Sequence, residues 1–165
     1  MSKPFQSNVD STDWAILREL QENARISYAE LGRRVGLTSP AVQERVRRLE
    51  DAGIIQGYHA SVNPERLGLP IQVLIRLEGE CRNKEHVVAE LYKIPQIVHA
   101  YHVLGDDCFV LVAVLPDMAS LKPLLKQLYE YGETVTTVVL DNPIAQRCIT
   151  PETRYLTTED RDGIS

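Results

Sequence analysis

The chain has 165 residues, 44% hydrophobic and 25% charged, with a net charge of −5, which suits one domain or two small ones with ordinary cores. No apolar run approaches the roughly 18 residues a membrane helix needs, and the opening MSKPFQSNVD lacks the apolar core of a secretory signal, so a cytoplasmic protein is expected. The acidity is uneven: residues 1–63 hold eight basic and eight acidic residues, and residues 64–165 hold ten and fifteen. Because screening limits electrostatic reach to roughly 8–10 Å at ordinary salt, the net charge does not exclude a basic, phosphate-binding face.

The first helix opens at Asp10-Ser11-Thr12-Asp13, with Asp10 as N-cap and Val9 and Trp14 placed as a hydrophobic staple. Trp14, Ile16, Leu17 and Leu20 have the spacing of one buried face, and the helix fades near Asn23. Ser27-Tyr28-Ala29-Glu30 has the spacing of a capping box, with Ile26 and Leu31 as its staple. The second helix is short, running to about Val35 before Gly36. A third begins at Thr38 as N-cap, stapled by Leu37 and Val42, with Pro40 in the first turn where its missing N–H does no harm. Val42, Val46 and Leu49 point inward; Ser39, Gln43 and Arg47 lie opposite, flanked by Glu44 and Arg48. The helix stops at Asp51-Ala52-Gly53, and Gly57–Val62 reads as a short strand leaving the module.

A brace helix, a glycine turn and a polar-faced helix are together the pattern of a helix-turn-helix. Arg25–Arg48 contains six arginines against Glu30 and Glu44. Gln43 can read an adenine edge bidentately, and arginine can read guanine or grip phosphate. An arginine cluster alone is more often a solvated face; its coincidence with the turn and the short brace favours DNA. The expected DNA-contacting residues are Thr38, Ser39, Pro40, Gln43, Glu44, Arg45, Arg47 and Arg48, with Arg34 from the second helix. Arg45 has the alternative of pairing with Glu30 or Glu44.

Asn63–Pro70, with two prolines and a glycine, marks a boundary. The expected organisation is residues 1–63 as the helix-turn-helix domain, 64–70 as linker, 71–149 as a second domain and 150–165 as a loose tail in which Tyr155 and Leu156 can dock. In the second domain, Ile71–Glu78 alternates as a strand and Lys84–Tyr92 is a helix with Val87, Val88 and Leu91 inward. Val98–Leu104 and Cys108–Leu115 are strands joined by the turn Gly105-Asp106-Asp107. A further helix has Leu121, Leu124, Leu125 and Leu128 as its seam, with Pro123 confining its start to near Ser120. After Gly132 a last strand covers Val135–Leu140, with a possible continuation to Ile149. The order β-α-β-β-α-β predicts a ferredoxin-like sandwich, so the whole chain is α+β. Helices cover one sheet face, and a second subunit is the economical cover for the other. Cys81, Cys108 and Cys148 are far apart with no CxxC pair, which suggests neither a zinc site nor a disulfide frame; each reads as a reduced thiol.

With both modules placed, the chain resembles the Lrp/AsnC (feast/famine) family of transcription regulators over about residues 9–149. The resemblance rests on Asp10, Asp13, Ile16-Leu17, Leu20, Arg25, Glu30-Leu31, Gly36-Leu37, Arg45, Leu49 and Gly53-Ile54-Ile55, followed by the βαββαβ module. It implies DNA-binding homodimers that assemble to octamers and bind amino acids between C-terminal modules, with no cofactor or metal beyond such an effector. The family's effector loop reads glycine, two variable residues, aspartate, then an aromatic. Here it is Gly105-Asp106-Asp107-Cys108-Phe109, with Cys108 where the aspartate is expected and Leu104 at a position that is frequently threonine. Asp106 or Asp107 can replace that carboxylate; otherwise the string is a plain hairpin turn. Thr136 and Thr137 match the family's hydroxyl pair and face either ligand or the opposing subunit. The expected effector-binding residues are Tyr101, Gly105, Asp106, Asp107, Cys108 and Thr136.

The leading reading is therefore a DNA-binding transcriptional regulator that uses near-palindromic sites and is tuned by a small metabolite such as an amino acid. The alternative is an architectural protein that wraps DNA with little effector response. An enzyme is not expected. Relatives that decarboxylate sirohaem need clustered cationic and histidine side chains, whereas His99 and His102, three apart on a strand, face opposite sides.

Overall fold

Asp10 and Asp13 cap the first helix reciprocally. In α1 (Ser11–Glu22), the Asp10 carboxylate accepts the Asp13 N–H at 2.8 Å and the Asp13 carboxylate accepts the Asp10 N–H at 3.2 Å. Two otherwise orphaned amides are satisfied. The helix stops at Asn23. In α2 (Tyr28–Val35), Ser27 caps the Glu30 N–H, but the box expected there is only half made. The Glu30 carboxylate turns instead to Arg33 and Arg34 at 2.7–2.8 Å, because two guanidinium groups outbid one backbone amide. α3 (Ser39–Asp51) has Pro40 in its first turn and buries Val42, Val46 and Leu49, as their spacing requires. These pack with Ile16, Leu17 and Leu31 in one core.

The computed structural model describes residues 9–79, 83–144 and 146–154. The chain divides into two units, Met1–Ala60 with Ile144–Ser165, and Ser61–Pro143. In the second, β1 (Ile71–Glu78), β2 (Ile97–His102), β3 (Asp107–Leu115) and β4 (Glu133–Val138) form an antiparallel sheet in the order β2-β3-β1-β4. With α4 (Lys84–Leu91) and α5 (Leu121–Leu128) this is the expected βαββαβ sandwich. Val73, Ile75 and Leu77 pair with Ala113, Leu111 and Phe109, and Leu91, Leu124 and Leu128 close the core. The reverse face carries the row Tyr101, Val110, Arg76 and Val135 across four strands. Tyr101, Arg76 and Val135 on that row are exposed.

The boundaries differ where pairing partners decide them. Gly57–Val62, expected as a strand, is irregular; no described strand runs beside it to complete a ladder, so the helix-turn-helix has no wing strand among the described residues. β2 begins earlier than expected and ends at His102, and one further bond, from the Val103 N–H to the Cys108 carbonyl at 3.2 Å, leads into the hairpin turn. β4 runs Glu133–Val138, starting before the expected Val135 and stopping short of Leu140, with no continuation to Ile149. The linker folds one 3-10 turn, Glu65–Leu67, closed by Gly68 at φ 81°. Of the expected tail, Pro151–Arg154 is another such turn, while Tyr155 and Leu156 lie outside the described residues.

The reduced-thiol expectation holds for Cys148, which is free. Cys108 is disulfide-bonded, since separation along the chain sets no lower bound on separation in a folded sheet. Cys81 lies outside the described residues.

Candidate nucleic-acid interface and effector loop

Gly36 takes the left-handed conformation, φ 72°, that ends α2 and swings the chain into α3. The turn folds back onto α2: the Leu37 N–H donates to the Gly32 carbonyl at 2.8 Å. A Cβ on Gly32 would sit 2.5 Å from the Leu37 carbonyl oxygen, so the close approach of turn and helix depends on that missing side chain. This contact sets the angle at which α3 is presented. Thr38, though an N-cap by position, makes no side-chain cap bond, and its side chain is exposed.

The exposed residues on α3 are Pro40, Gln43, Glu44, Arg47 and Arg48, with Glu50 and Asp51 at its end, and Ser39 is half-buried in the first turn. Arg47 pairs loosely with Glu44 at 3.3 Å, both being more than half exposed. Such pairs are worth about 0–1 kcal/mol, so Arg47 can exchange Glu44 for a phosphate or a base edge at little cost. Arg48 stands 3.7 Å from Asp13 and is also more than half exposed. Arg34 is held at 2.8 Å by both Glu19 and Glu30. The Glu30 hydrogen bond first and the Glu19 bond second favour its charged form, and 45% of its side chain stays exposed.

Arg45 is placed differently from the rest of the expected set. Its Nη1 donates to Asp10 and Asp13 at 2.7 Å each, while Asp13 is 1% exposed. Neither Glu30 nor Glu44 is its partner. Arg45 braces α3 against the start of α1 while 27% of its side chain stays exposed. The Asp10 carboxyl is held below its ordinary range by the Arg45 hydrogen bond first and the Asp13 amide second. No local sequence signal joins positions 13 and 45; only the packing of α1 against α3 does.

The expected effector residues do not converge within one chain. Tyr101 lies on the open face, stacked on His99 with ring centroids 6.1 Å apart. Thr136 pairs with Ile75, which puts it on the helix-covered face, and its hydroxyl is buried without a hydrogen-bond partner among the described residues. Thr137 faces the other way. Gly105 has φ 147° and Asp106 is exposed. The Asp107 carboxylate lies 3.7 Å from Arg76, which is also 3.6 Å from Glu78. Cys108, 8% exposed, lines a cavity of about 530 Å³ with Leu77, Glu78, Gly79, His86, Glu90 and Tyr131 among others. His99 and His102 face opposite sides as expected, His102 tilting against Phe109 at 5.3 Å. Among the described residues no group of three or more His, Cys, Asp or Glu is placed to hold a metal ion, and no helix is long and apolar enough to cross a membrane.

Comparison with known proteins bears on both units. Residues 9–50 match the AsnC-type helix-turn-helix domain, and residues 71–148 match the Lrp/AsnC ligand binding domain. The chain is 38% identical over 119 residues to the HTH-type transcriptional regulator Ptr1 of Methanocaldococcus jannaschii, covering 72% of this chain and 80% of that one. It is 37% identical over 141 residues to the leucine-responsive regulatory protein of Salmonella typhimurium, covering 81% and 86%. Among solved structures, the feast or famine regulatory protein of Mycobacterium tuberculosis complexed with L-methionine superposes with a TM-score of 0.79 at 31% identity, covering 87% of this chain and 99% of that one.

Proposed function

The chain belongs to the Lrp/AsnC family of DNA-binding transcriptional regulators, and from that premise we propose how its residues do the work. The first unit reads DNA and the second binds the effector and joins subunits. Ser39, Gln43 and Arg47 read base edges in the major groove; Arg48, Arg34 and the Thr38 hydroxyl hold phosphates. Pro40 and Glu44 border the contact. Arg45 fixes the angle of α3 from behind. The observation that carries this reading is the exposure of Gln43, Arg47 and Arg48 on a helix whose opposite side is sealed by Val42, Val46 and Leu49.

Two subunits related by a twofold axis place two such helices in successive major grooves, about 34–36 Å apart, on a near-palindromic site. The open sheet face supplies the dimer contact, and further assembly gives an octamer. The effector is an amino acid bound at the loop end of the sheet, where Gly105, Asp106, Asp107 and Cys108 meet the acidic cavity. A cavity of that size takes such a ligand, and Asp106 or Glu78 supplies a carboxylate for its ammonium group. Tyr101 and Thr136, on opposite sheet faces, serve one site only if a neighbouring subunit completes it. The effector acts by preferring one assembly state, since equal affinity for both shifts nothing. The protein works in the cytoplasm, and no catalytic step is assigned to it.

Selection from a random duplex library with the purified protein tests the reading. Enrichment of paired half-sites one helical turn apart is expected; failure to enrich any sequence would overturn it.

A further inference from the structure

Residues 146–154 run back onto the helix-turn-helix unit and are held there by a side chain that imitates a strand edge. The Gln21 carboxamide makes both of its bonds to one residue. Its oxygen accepts the Ile149 N–H at 2.9 Å, and its Nε2 donates to the Ile149 carbonyl at 3.0 Å. Gln21 and Ile149 are 128 positions apart. Only an extended residue facing the amide squarely satisfies both bonds, so the pairing selects a backbone conformation rather than a side chain. Beneath it lies a groove of about 350 Å³ lined by Trp14, Leu17 and Leu20 of α1, by Ile55 and Tyr58 after α3, and by Ile149 itself.

We propose that this segment is a releasable clip: closed, it tethers the DNA-reading unit at a second point; open, it leaves that unit on the Ser61–Pro70 connection alone. The chain passes between the two units at residues 60–61 and again at 143–144. The second passage comes straight from β4, which ends at Val138 and makes one more bond, from the Val139 N–H to the Gln72 carbonyl at 2.9 Å. A reader tethered twice samples fewer orientations, so two readers in a dimer are pre-organised for one half-site spacing. The clip is shallow: Ile149 is 62% exposed, and its hydrogen bonds are solvent-exposed. Such contacts sit at the low-stability end of a structure, where a change in β4 or a bound partner can open them. The consequence for half-site spacing rests on the function proposed above; the clip itself does not.

The test uses the full-length protein with Gln21→Ala, Gln21→Glu and Ile149→Pro. Gln21 is exposed on α1 and alanine is the better helix former, so its loss leaves the helix intact. Trp14, the only tryptophan, lines the groove and reports the clip without DNA. A red shift of its emission is expected in both Gln21 variants, with roughly tenfold faster amide exchange at Ile149 in Gln21→Ala and a smaller increase in Gln21→Glu, whose carboxylate keeps the acceptor for the Ile149 N–H but repels its carbonyl. Ile149→Pro, which removes the N–H donor, should give the same red shift. In Gln21→Glu the two effects should fade on acidification, because a protonated carboxyl regains a donor for the Ile149 carbonyl. Unchanged emission in all three variants, with unchanged Ile149 exchange in Gln21→Ala, would overturn the clip. On selected DNA, opened variants should bind single half-sites like the parent while losing roughly tenfold of the preference for one-turn over half-turn spacing. Parental spacing preference with a demonstrably open clip would overturn its tethering role while leaving the DNA-binding reading standing.

Discussion

Deleting Arg45 should cost the first unit stability rather than base recognition. Its guanidinium donates at 2.7 Å to both Asp10 and Asp13. The Asp10 half, with that side chain 50% exposed, resembles a surface pair worth about 0–1 kcal/mol. The Asp13 half matters more, because that carboxylate is 1% exposed and removing the partner of a buried charge costs about 3–5 kcal/mol. Two features lower this figure: Arg45 keeps 27% of its side chain in water, and Arg48 remains 3.7 Å from Asp13. Arg45→Ala should therefore cost about 2–3 kcal/mol, lowering Tm by roughly 8–20 °C for a unit of this size. Urea titration followed by Trp14 emission measures it. Adding Asp13→Asn should recover part of the loss, since the stranded charge is gone. At a temperature where the variant is folded, its specific DNA affinity should fall less than that of Arg47→Ala. A stability loss below about 0.5 kcal/mol with a large loss of DNA binding would refute the reasoning and return Arg45 to the DNA interface.

Gly32→Ala should destabilise by about 1–3 kcal/mol, because the new Cβ meets the Leu37 carbonyl at 2.5 Å; helix propensity alone would favour alanine by nearly 1 kcal/mol, so a gain in urea midpoint would contradict the packing argument. The first unit should lose stability in acid. Arg33 and Arg34 hold the Glu30 carboxyl at about 2 against its ordinary 4.5, and Arg45 lowers that of Asp10. Depressed folded-state values stabilise above the unfolded pKa, so this contribution is complete above about pH 4.5 and disappears toward pH 2. Urea midpoints measured across that window should fall, less steeply in Arg45→Ala. Thermal-shift screening of the standard amino acids should find one that raises Tm, by about 2.7 kcal/mol of stabilisation at a hundredfold excess over Kd; no shift with any of them would reduce Gly105–Cys108 to a hairpin turn.

What the sequence disclosed was whatever local spacing determines. The caps at Asp10 and Ser27, the glycine stop at Gly36, the inward triplet of α3, the alternation of β1 and the seam of α5 each depend on neighbours within a few residues. Failures came where partners are distant or competing. The sequence motif at Ser27 and Glu30 was intact, but two arginines on the same helix claimed the glutamate. Gly57–Val62 has strand-like residues but no described strand beside it. Arg45 and Asp13, like Gln21 and Ile149, meet only through tertiary packing, so periodicity carries no trace of either pair. The face on which Thr136 lies is set the same way: strand parity, reckoned from the buried face of β1, puts it under the helices, which its hydroxyl type does not reveal.

The central claim is tested most directly by comparing the full-length protein with its Gln43→Ala, Arg47→Ala, Arg48→Ala variant on a selected site and on a scrambled duplex, across a series of salt concentrations. The account predicts that the variant keeps its fold by Trp14 emission, loses the preference for the selected site, and shows a shallower dependence of affinity on salt through the lost arginine contacts. Undiminished preference with an unchanged salt slope would contradict the assignment of α3 as the reading helix.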